Sequence, residues 1–371
     1  MDLSDVYKVD QFIDTFALGH YARVLDATDR RTGASVAFKV MRPEHLATGT
    51  IKWEYRAFIS EAEILMRLAD SPQVVRLLDC GYISDVAEAP SGGEIISFGT
   101  QIKLYATAME EYAARGWRPY LTLEHLPRTH SLMYVMKPNR ADVRWRLPSE
   151  EGIALAMQFA NFMKLAHNQG VAYLDHKLEH VYWDGAGLRV IDFNSSRLMN
   201  GDNGDSQYIR MDIHSLCVGI LYPLFTGLSP LKTSLKPQPS SAQEVEARYQ
   251  DIQTLDFGVE PTLSPSLREL IQLGAQWEFS HVDDFIDELR IVAELHGWDF
   301  PNSSIPTDCR VARDNMRQGL RKLREGHDAI RAARDLFRDA AVLDGITQDL
   351  ENELRRLVKA TNDMLNERVI P

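Results

Sequence analysis

Cysteine is scarce: Cys80, Cys217 and Cys309 are the three present, far apart and at no metal-ligand spacing. That excludes a disulfide framework and a zinc knuckle, and it points to a reducing compartment. Basic charge is also short, with 41 Lys and Arg against 53 Asp and Glu and a net charge of −12. Sequence-independent grip on nucleic acid needs a basic footprint, so that class is set aside. Long apolar runs are missing too. The longest, Leu216–Phe225, is too short to cross a bilayer. The opening stretch Met1–Asp10 is acidic and polar, unlike a secretion signal. Together these absences predict a cytoplasmic chain with neither nucleic acid nor membrane as partner. A hydrophobic content of 44% over 371 residues is ordinary for a globular protein and long enough for two or three domains.

Hydrophobic periodicity divides the chain. Phe12–Phe16, Ala22–Ala27 and Val36–Met41 read as strands, the last two joined by a turn at Asp29–Gly33. Phe58, Ala62, Leu65 and Leu68 recur at helical spacing within Trp53–Leu68. Strand composition returns at Val74–Ile83 and Tyr120–Leu126. The stretch between them, Ser84–Trp117, is too long for a hairpin loop and reads as an insertion with a helical patch at Gln101–Arg115. Beyond Pro127 the pattern turns helical: Glu150–Gln169 closed by Gly170, then Asp212–Thr226, Leu267–Ala275 and Val282–Leu295. Val171–Asp192 reads as short strands around a polar loop, and Leu235–Pro265 as Pro- and Ser-rich loop with one short helix. Arg310–Val369 is helical throughout, with a break at Asp344-Gly345.

Chemistry concentrates in the polar loop. Asp175 and Asp192 each end a short apolar run, seventeen residues apart, and Lys177 follows the first by two. Phosphoryl transfer uses such a set: one carboxylate for the attacking hydroxyl, one for a metal against the phosphates, and a cation for the transferring group. Lone aspartates also cap turns, so the pair needs its context.

That context is a series of motifs in order. Tyr173–Asp184 (YLDHKLEHVYWD) and Arg189–Asn194 (RVIDFN) resemble the catalytic and magnesium loops of protein kinases. Val36–Val40 (VAFKV) resembles the third-strand lysine motif, and Phe16–Val24 (FALGHYARV) a glycine-rich loop that keeps only Gly19. Asp212–Tyr222 (DIHSLCVGILY) resembles the long buried helix of the C-lobe. Over about residues 12–295 the chain therefore resembles the eukaryotic-type Ser/Thr protein kinase fold. This implies an α+β, two-lobed architecture: N-lobe 1–126 with an insertion at about 84–117, C-lobe 127–300, and a helical C-terminal extension 301–371.

The resemblance implies roles residue by residue. Lys39 would hold the α- and β-phosphates, with Glu61 as its helix partner and Glu63 as second candidate. Asp175 would position the acceptor hydroxyl, Lys177 would meet the γ-phosphate, and Asp192 would bind magnesium. Glu124 and Leu126 would offer hinge backbone groups to adenine, with Leu123 as gatekeeper. Gly19 would close over the phosphates, Val24 and Ala37 would cover the base, and Tyr182 would lie beneath it. Leu65, Leu77, Tyr173 and Phe193 would form an apolar spine anchored on Asp212. The implied activity is ATP- and magnesium-dependent transfer to a Ser/Thr hydroxyl. A nucleotide-binding pseudokinase scaffold and a small-molecule phosphotransferase are the alternatives.

Several departures bear on that choice. His180 stands where the family has a metal-binding asparagine, and imidazole suits manganese and softer ions better than magnesium. Leu174 replaces the arginine before the catalytic aspartate, which predicts no phosphate-driven switch in the activation segment. Asn194 replaces a glycine and is expected to tolerate left-handed backbone there. Ala17 and Ala22 replace the outer loop glycines. The segment from Asp192 to Asp212 spans only twenty residues and lacks the Ala-Pro-Glu ending that helps dock a peptide. Along Arg310–Asp339 nine Lys and Arg residues stand against five acids, which reads either as a hairpin packed on itself or on the C-lobe, or as a docking surface for an acidic partner. Oligomeric state has no signature in the sequence.

Overall fold

The computed structural model describes residues 1–10, 21–47, 51–136, 146–201, 205–231, 242–298, 307–343 and 345–366. The expected strand Phe12–Phe16, Ala17 and Gly19 of the loop motif, residues 235–241 and Asp344 lie outside them.

Six strands form one antiparallel sheet: β1 (Tyr7–Val9), β2 (Ala22–Asp29), β3 (Ser35–Met41), β4 (Leu77–Ile83), β5 (Ile95–Ser97) and β6 (Arg118–Glu124), in spatial order β1-β2-β3-β6-β4-β5. Alternation along β3 sets the function of each face. Phe38 and Val40 turn outward into a core closed by Leu3 and Val6 of the short helix α1 (Leu3–Val6) and by Tyr7. Ala37 and Lys39 turn inward, paired with Leu123 and Leu121 of β6, and Lys39 also with Val24 of β2.

The outer core holds a carboxylate. Asp79 is buried, and it accepts hydrogen bonds from Tyr7 (2.7 Å), Tyr120 (3.0 Å), Ser97 Oγ (2.7 Å) and the Gly99 amide (2.9 Å). Those four donors offset its desolvation. Sequence periodicity did not register this N-terminal cap, because a four-residue helix and a three-residue strand are shorter than any window that shows a period.

Helix α2 (Trp53–Arg67) lies under the inner face. Its apolar positions Tyr55, Phe58, Ala62 and Leu65 are buried, and this fixes where Glu61, fully buried on the same helix, must point. The segment expected as an insertion is built into the lobe: β5 extends the sheet, and α3 (Ile102–Thr107) and α4 (Met109–Ala114) bring Tyr105 and Tyr112 against Tyr82 at 5.0 and 4.9 Å.

The helical part begins with α5 (Leu132–Met136) and α6 (Ser149–Asn168), the latter ended by Gly170 at φ +69°. Two antiparallel strand pairs follow, β7 (Val171–Ala172) with β10 (Arg197–Leu198) and, between them in sequence, the hairpin of β8 (Val181–Trp183) with β9 (Leu188–Val190). The expected apolar helix starts seven residues earlier than periodicity placed it, as α7 (Asp205–Ser215). It widens to π winding over Leu216–Leu221 and ends as α8 (Tyr222–Thr226). The short α9 (Ala242–Glu246), α10 (Pro265–Ala275) and α11 (Val282–Leu295) complete this part. Two long helices, α12 (Thr307–Ala340) and α13 (Gln348–Asn366), form a hairpin. It is anchored to the body where Arg324 meets the buried Glu151 and where Asp328 lies 3.8 Å from His130.

His214 on α7 is fully buried, stacked 4.1 Å from Trp277, with Nε2 3.1 Å from the Ile252 carbonyl. Burial holds its imidazole down to about 4, against an ordinary 6.5. The unfolded chain therefore takes up a proton near pH 6.5 that the folded one refuses until about pH 4, so stability falls as pH drops through that window. His214→Phe keeps the stack and should remove up to about 3 kcal/mol of that pH dependence, read as urea midpoints at pH 7 and 4.5. Equal slopes in both proteins would show that His214 protonates freely in the folded state.

Candidate active site

Three elements converge on one cluster of charges. Lys39 reaches from β3 to Glu61 on α2, its Nζ donating to both carboxylate oxygens at 2.8 and 2.7 Å, and to Asp192 Oδ1 at 2.9 Å. Glu61, not Glu63, is the partner. Lys39 and Glu61 are both shielded from solvent, whereas the Asp192 side chain is 24% exposed. Burial by itself would lower the Lys39 pKa, but Asp192 and then Glu61 outweigh it and hold the ammonium well above its usual value. Burial pushes Glu61 up against the pull of Lys39. Asp192 goes the other way: Lys39 and His180 overcome its desolvation and keep it ionised far below the usual carboxylate range.

Asp175 lies on the other side of His180 from Asp192. Lys177 Nζ is 3.0 Å from Asp175 Oδ2, and His180 bridges the two aspartates, with Nδ1 3.5 Å from Asp175 Oδ2 and Nε2 3.2 Å from Asp192 Oδ2. Oxygen or nitrogen atoms of Asp175, His180 and Asp192 all lie within 4.8 Å of one another. Two carboxylates and one imidazole so placed fit a divalent cation, and the mixed oxygen and nitrogen set suits manganese as well as magnesium.

Backbone geometry at both aspartates is unusual. Leu174 and Asp192 adopt left-handed conformations, φ +66° and +63°, which cost a non-glycine residue about 1–2 kcal/mol each. Asp212 compensates at the first of them. Its buried carboxylate accepts the amides of Tyr173 (2.8 Å) and Leu174 (2.6 Å), and His167 Nε2 is 2.9 Å away. Burial would raise the Asp212 pKa; His167, His176 and the Leu174 amide prevail and lower it. At the second position the expectation for Asn194 needs correction. The left-handed residue is Asp192, and Asn194 acts instead through its side chain, donating from Nδ2 to Asp192 Oδ1 at 2.6 Å.

The remaining predicted residues fall as follows. Val24, Ala37, Leu126 and Tyr182 are each half-buried, and Leu123 is buried. Glu124 donates its backbone N–H to the Arg76 carbonyl at 2.9 Å, and its side chain lies near Arg76 and Arg189. Leu65, Leu77, Tyr173 and Phe193 belong to one core, with the Tyr173 and Phe193 rings 5.2 Å apart. Leu174, in the place of an arginine, is buried with Ala172 and Met211.

Two residues at the cluster escaped sequence reasoning. Tyr21, next to the expected glycine-rich loop, is buried with its ring 5.9 Å from Lys39 Nζ and 5.7 Å from Phe58. Arg248 places Nη1 3.0 Å from Asp175 Oδ1. Tyr21 sits inside the Phe16–Val24 motif, where an aromatic beside the retained Gly19 and His20 was the signal that could have found it. Arg248 lies in loop sequence, 73 residues from its partner, and carries no local signal.

No family model matches this sequence, and no curated protein matches it either. Among solved structures the chain is similar to the crystal structure of Rad53 1-466 in complex with AMP-PNP, at 15% identity and a TM-score of 0.52. The match covers 78% of this chain and 66% of that one, so the chain spans just under two thirds of that protein's length. The fold is thus protein-kinase-like and α+β, a sheet lobe over a helical lobe, as the motifs implied. Among the described residues no helix is long and apolar enough to cross a membrane.

Proposed function

We propose that the chain is an ATP- and magnesium-dependent protein kinase that transfers the γ-phosphate to a Ser or Thr hydroxyl. The observation that carries this reading is Lys39, held as a buried cation between Glu61 and Asp192, with Asp175 and Lys177 paired on the other side of His180. A lysine so placed is held by Glu61 and would exchange its Asp192 contact for phosphate oxygens, a fixed positive charge of the kind that lowers a phosphoryl-transfer barrier. Asp175 accepts the hydroxyl proton and Lys177 offsets charge on the transferring group. Val24, Ala37, Leu123 and Tyr182 enclose the base, and backbone of Glu124 and Leu126 reads its edge. Asp192, with His180, would hold magnesium or manganese, which supplies positive charge to the phosphates. The AMP-PNP bound to the structural neighbour supports nucleotide as the ligand. A protein acceptor or partner, engaged through α12–α13, and a cytoplasmic setting complete the proposal; Cys80 and Cys217, buried free thiols, agree with a reducing compartment.

One contact favours the pseudokinase scaffold as a second reading. His180 Nε2 lies 3.2 Å from Asp192 Oδ2 and competes with a metal for that oxygen. Labelled ATP with magnesium or manganese separates the two. Wild type should transfer label to itself or to a Ser/Thr protein acceptor, Asp192→Ala should not, and His180→Asn should raise the magnesium-supported rate. ATP-dependent stabilisation with no transfer in wild type or His180→Asn would establish the scaffold instead, and no stabilisation at all would end the nucleotide reading.

A further inference from the structure

Asp175 is 97% buried, and its carboxylate is held from two sides. Lys177, two residues on, takes Oδ2; Arg248 takes Oδ1 from a distant part of the chain, two residues beyond α9. The Arg248 side chain is only 11% exposed and is itself fixed by its neighbours. On one side Glu246 accepts from Arg197 on β10, with Nε and Nη2 at 2.7 and 2.6 Å from Oε1. On the other, Tyr249 donates its hydroxyl to the His176 carbonyl at 3.0 Å. That approach needs a bare backbone: a Cβ on Gly219 would stand 2.6 Å from the Tyr249 ring and 2.7 Å from the His176 oxygen. The π winding of Leu216–Leu221 places Gly219 there.

The other flank of Asp175 is apolar. Leu174 packs with Ala172 and Met211, and partly buried Met199, Tyr208 and Trp277 close the cluster. Leu174 itself offers no charge to a phosphate on the activation segment, and the cations that border its cluster are already engaged, Arg197 with Glu246 and over the Tyr208 ring and Arg210 with the Trp277 carbonyl. Within that segment Arg197 is fixed by backbone pairing with Ala172 and by its ion pair with Glu246.

We propose that Arg248 is a positioning residue for phosphoryl transfer, aiming Asp175 from the acceptor side through an ion pair built into the fold, so that activity needs no activating phosphate. A guanidinium that uses one N–H on one oxygen leaves the carboxylate lone pairs for the acceptor hydroxyl. The inference rests on the phosphoryl-transfer reading above and adds to it the group that holds the base.

Steady-state transfer with phosphatase-treated protein tests it. Arg248→Ala should lower kcat by about 10–100-fold, the cost of misplacing a reacting group by an ångström or so, with KM for ATP within about twofold of wild type. Arg248→Lys, which restores charge without the fixed planar fork, should recover part of the loss. Glu246→Gln should move kcat in the same direction by less. Where the alanine variant melts below the assay temperature, Arg248→Gln is read in its place with the same expectation. An unchanged or higher kcat in Arg248→Ala or Arg248→Gln overturns the role and makes the 244–252 segment a cover over Asp175. Loss of wild-type activity on phosphatase treatment overturns it as well. A wild type that never transfers, before or after phosphatase, removes the transfer reading and the positioning role together, and that outcome is read from wild type alone.

Discussion

Asp175→Asn should cut phosphoryl transfer by about 10²–10⁴-fold, the usual worth of a positioned general base, while ATP with magnesium still raises the melting temperature nearly as in wild type. The asymmetry follows from the layout. Lys39, Glu61 and Asp192 form the nucleotide side of the cluster, and among the described residues Asp175 makes no ion pair with any of those three; its partners are Lys177, Arg248 and His180. Asparagine keeps the size and one acceptor oxygen but turns the other into an NH2 donor and removes the negative charge, so one of Lys177 and Arg248 keeps an oxygen to bind and the fold at the site is largely preserved. Labelled-phosphate transfer gives the rate, and thermal shift against ATP concentration gives the affinity. Parallel loss of both would assign Asp175 to the frame of the cleft and leave another group to take the proton.

The second large effect lies far from the cleft. Arg324 on α12 pairs with Glu151 on α6, whose Oε1 also accepts from Trp183 Nε1 at 2.6 Å; Glu151 is buried. Arg324→Ala leaves that carboxylate in the interior with no cation, which should cost about 3–5 kcal/mol and loosen α12 from the body. Adding Glu151→Gln removes the stranded charge and should recover a large part of the loss, since a neutral amide can still accept from Trp183. Urea midpoints for the two single variants and the double variant measure this, and Trp183 fluorescence follows the site itself. A single-variant loss under about 0.5 kcal/mol would place the pair among surface contacts of little weight. The Arg310–Arg338 stripe is thus not uniformly solvated, because at least Arg324 is an anchor.

How much of this was legible depended on the range of the interaction. Helices α2 and α6 were readable because their buried residues recur every three or four positions, and both ended within two residues of their expected bounds. The helix beginning at α7 was placed seven residues late, since Asp205–Arg210 is polar and carries no apolar period. The β-hairpin at Asp29–Gly33 was readable from turn chemistry, with Gly33 at φ +74°. Asn194 was misread for a related reason: backbone handedness was assigned from residue type, yet the strained φ sits on Asp192, an ordinary residue held there by its surroundings.

By itself the sequence determined which residues could carry chemistry and the two-lobed plan they belong to. Lys39, Asp175, Lys177 and Asp192 each sit in a short stretch whose local strand or turn pattern is written beside them, so residue type and spacing suffice. Tertiary structure decided which charges meet. Lys39 and Asp192 are 153 positions apart, Arg248 and Asp175 are 73, Arg324 and Glu151 are 173, and Tyr7 and Asp79 are 72. An ion pair between such positions leaves no periodic trace, because neither partner constrains the chain near the other. It exists only after the sheet, the π-wound helix and the catalytic loop have closed around one cleft, where burial makes an unpaired charge too costly to leave.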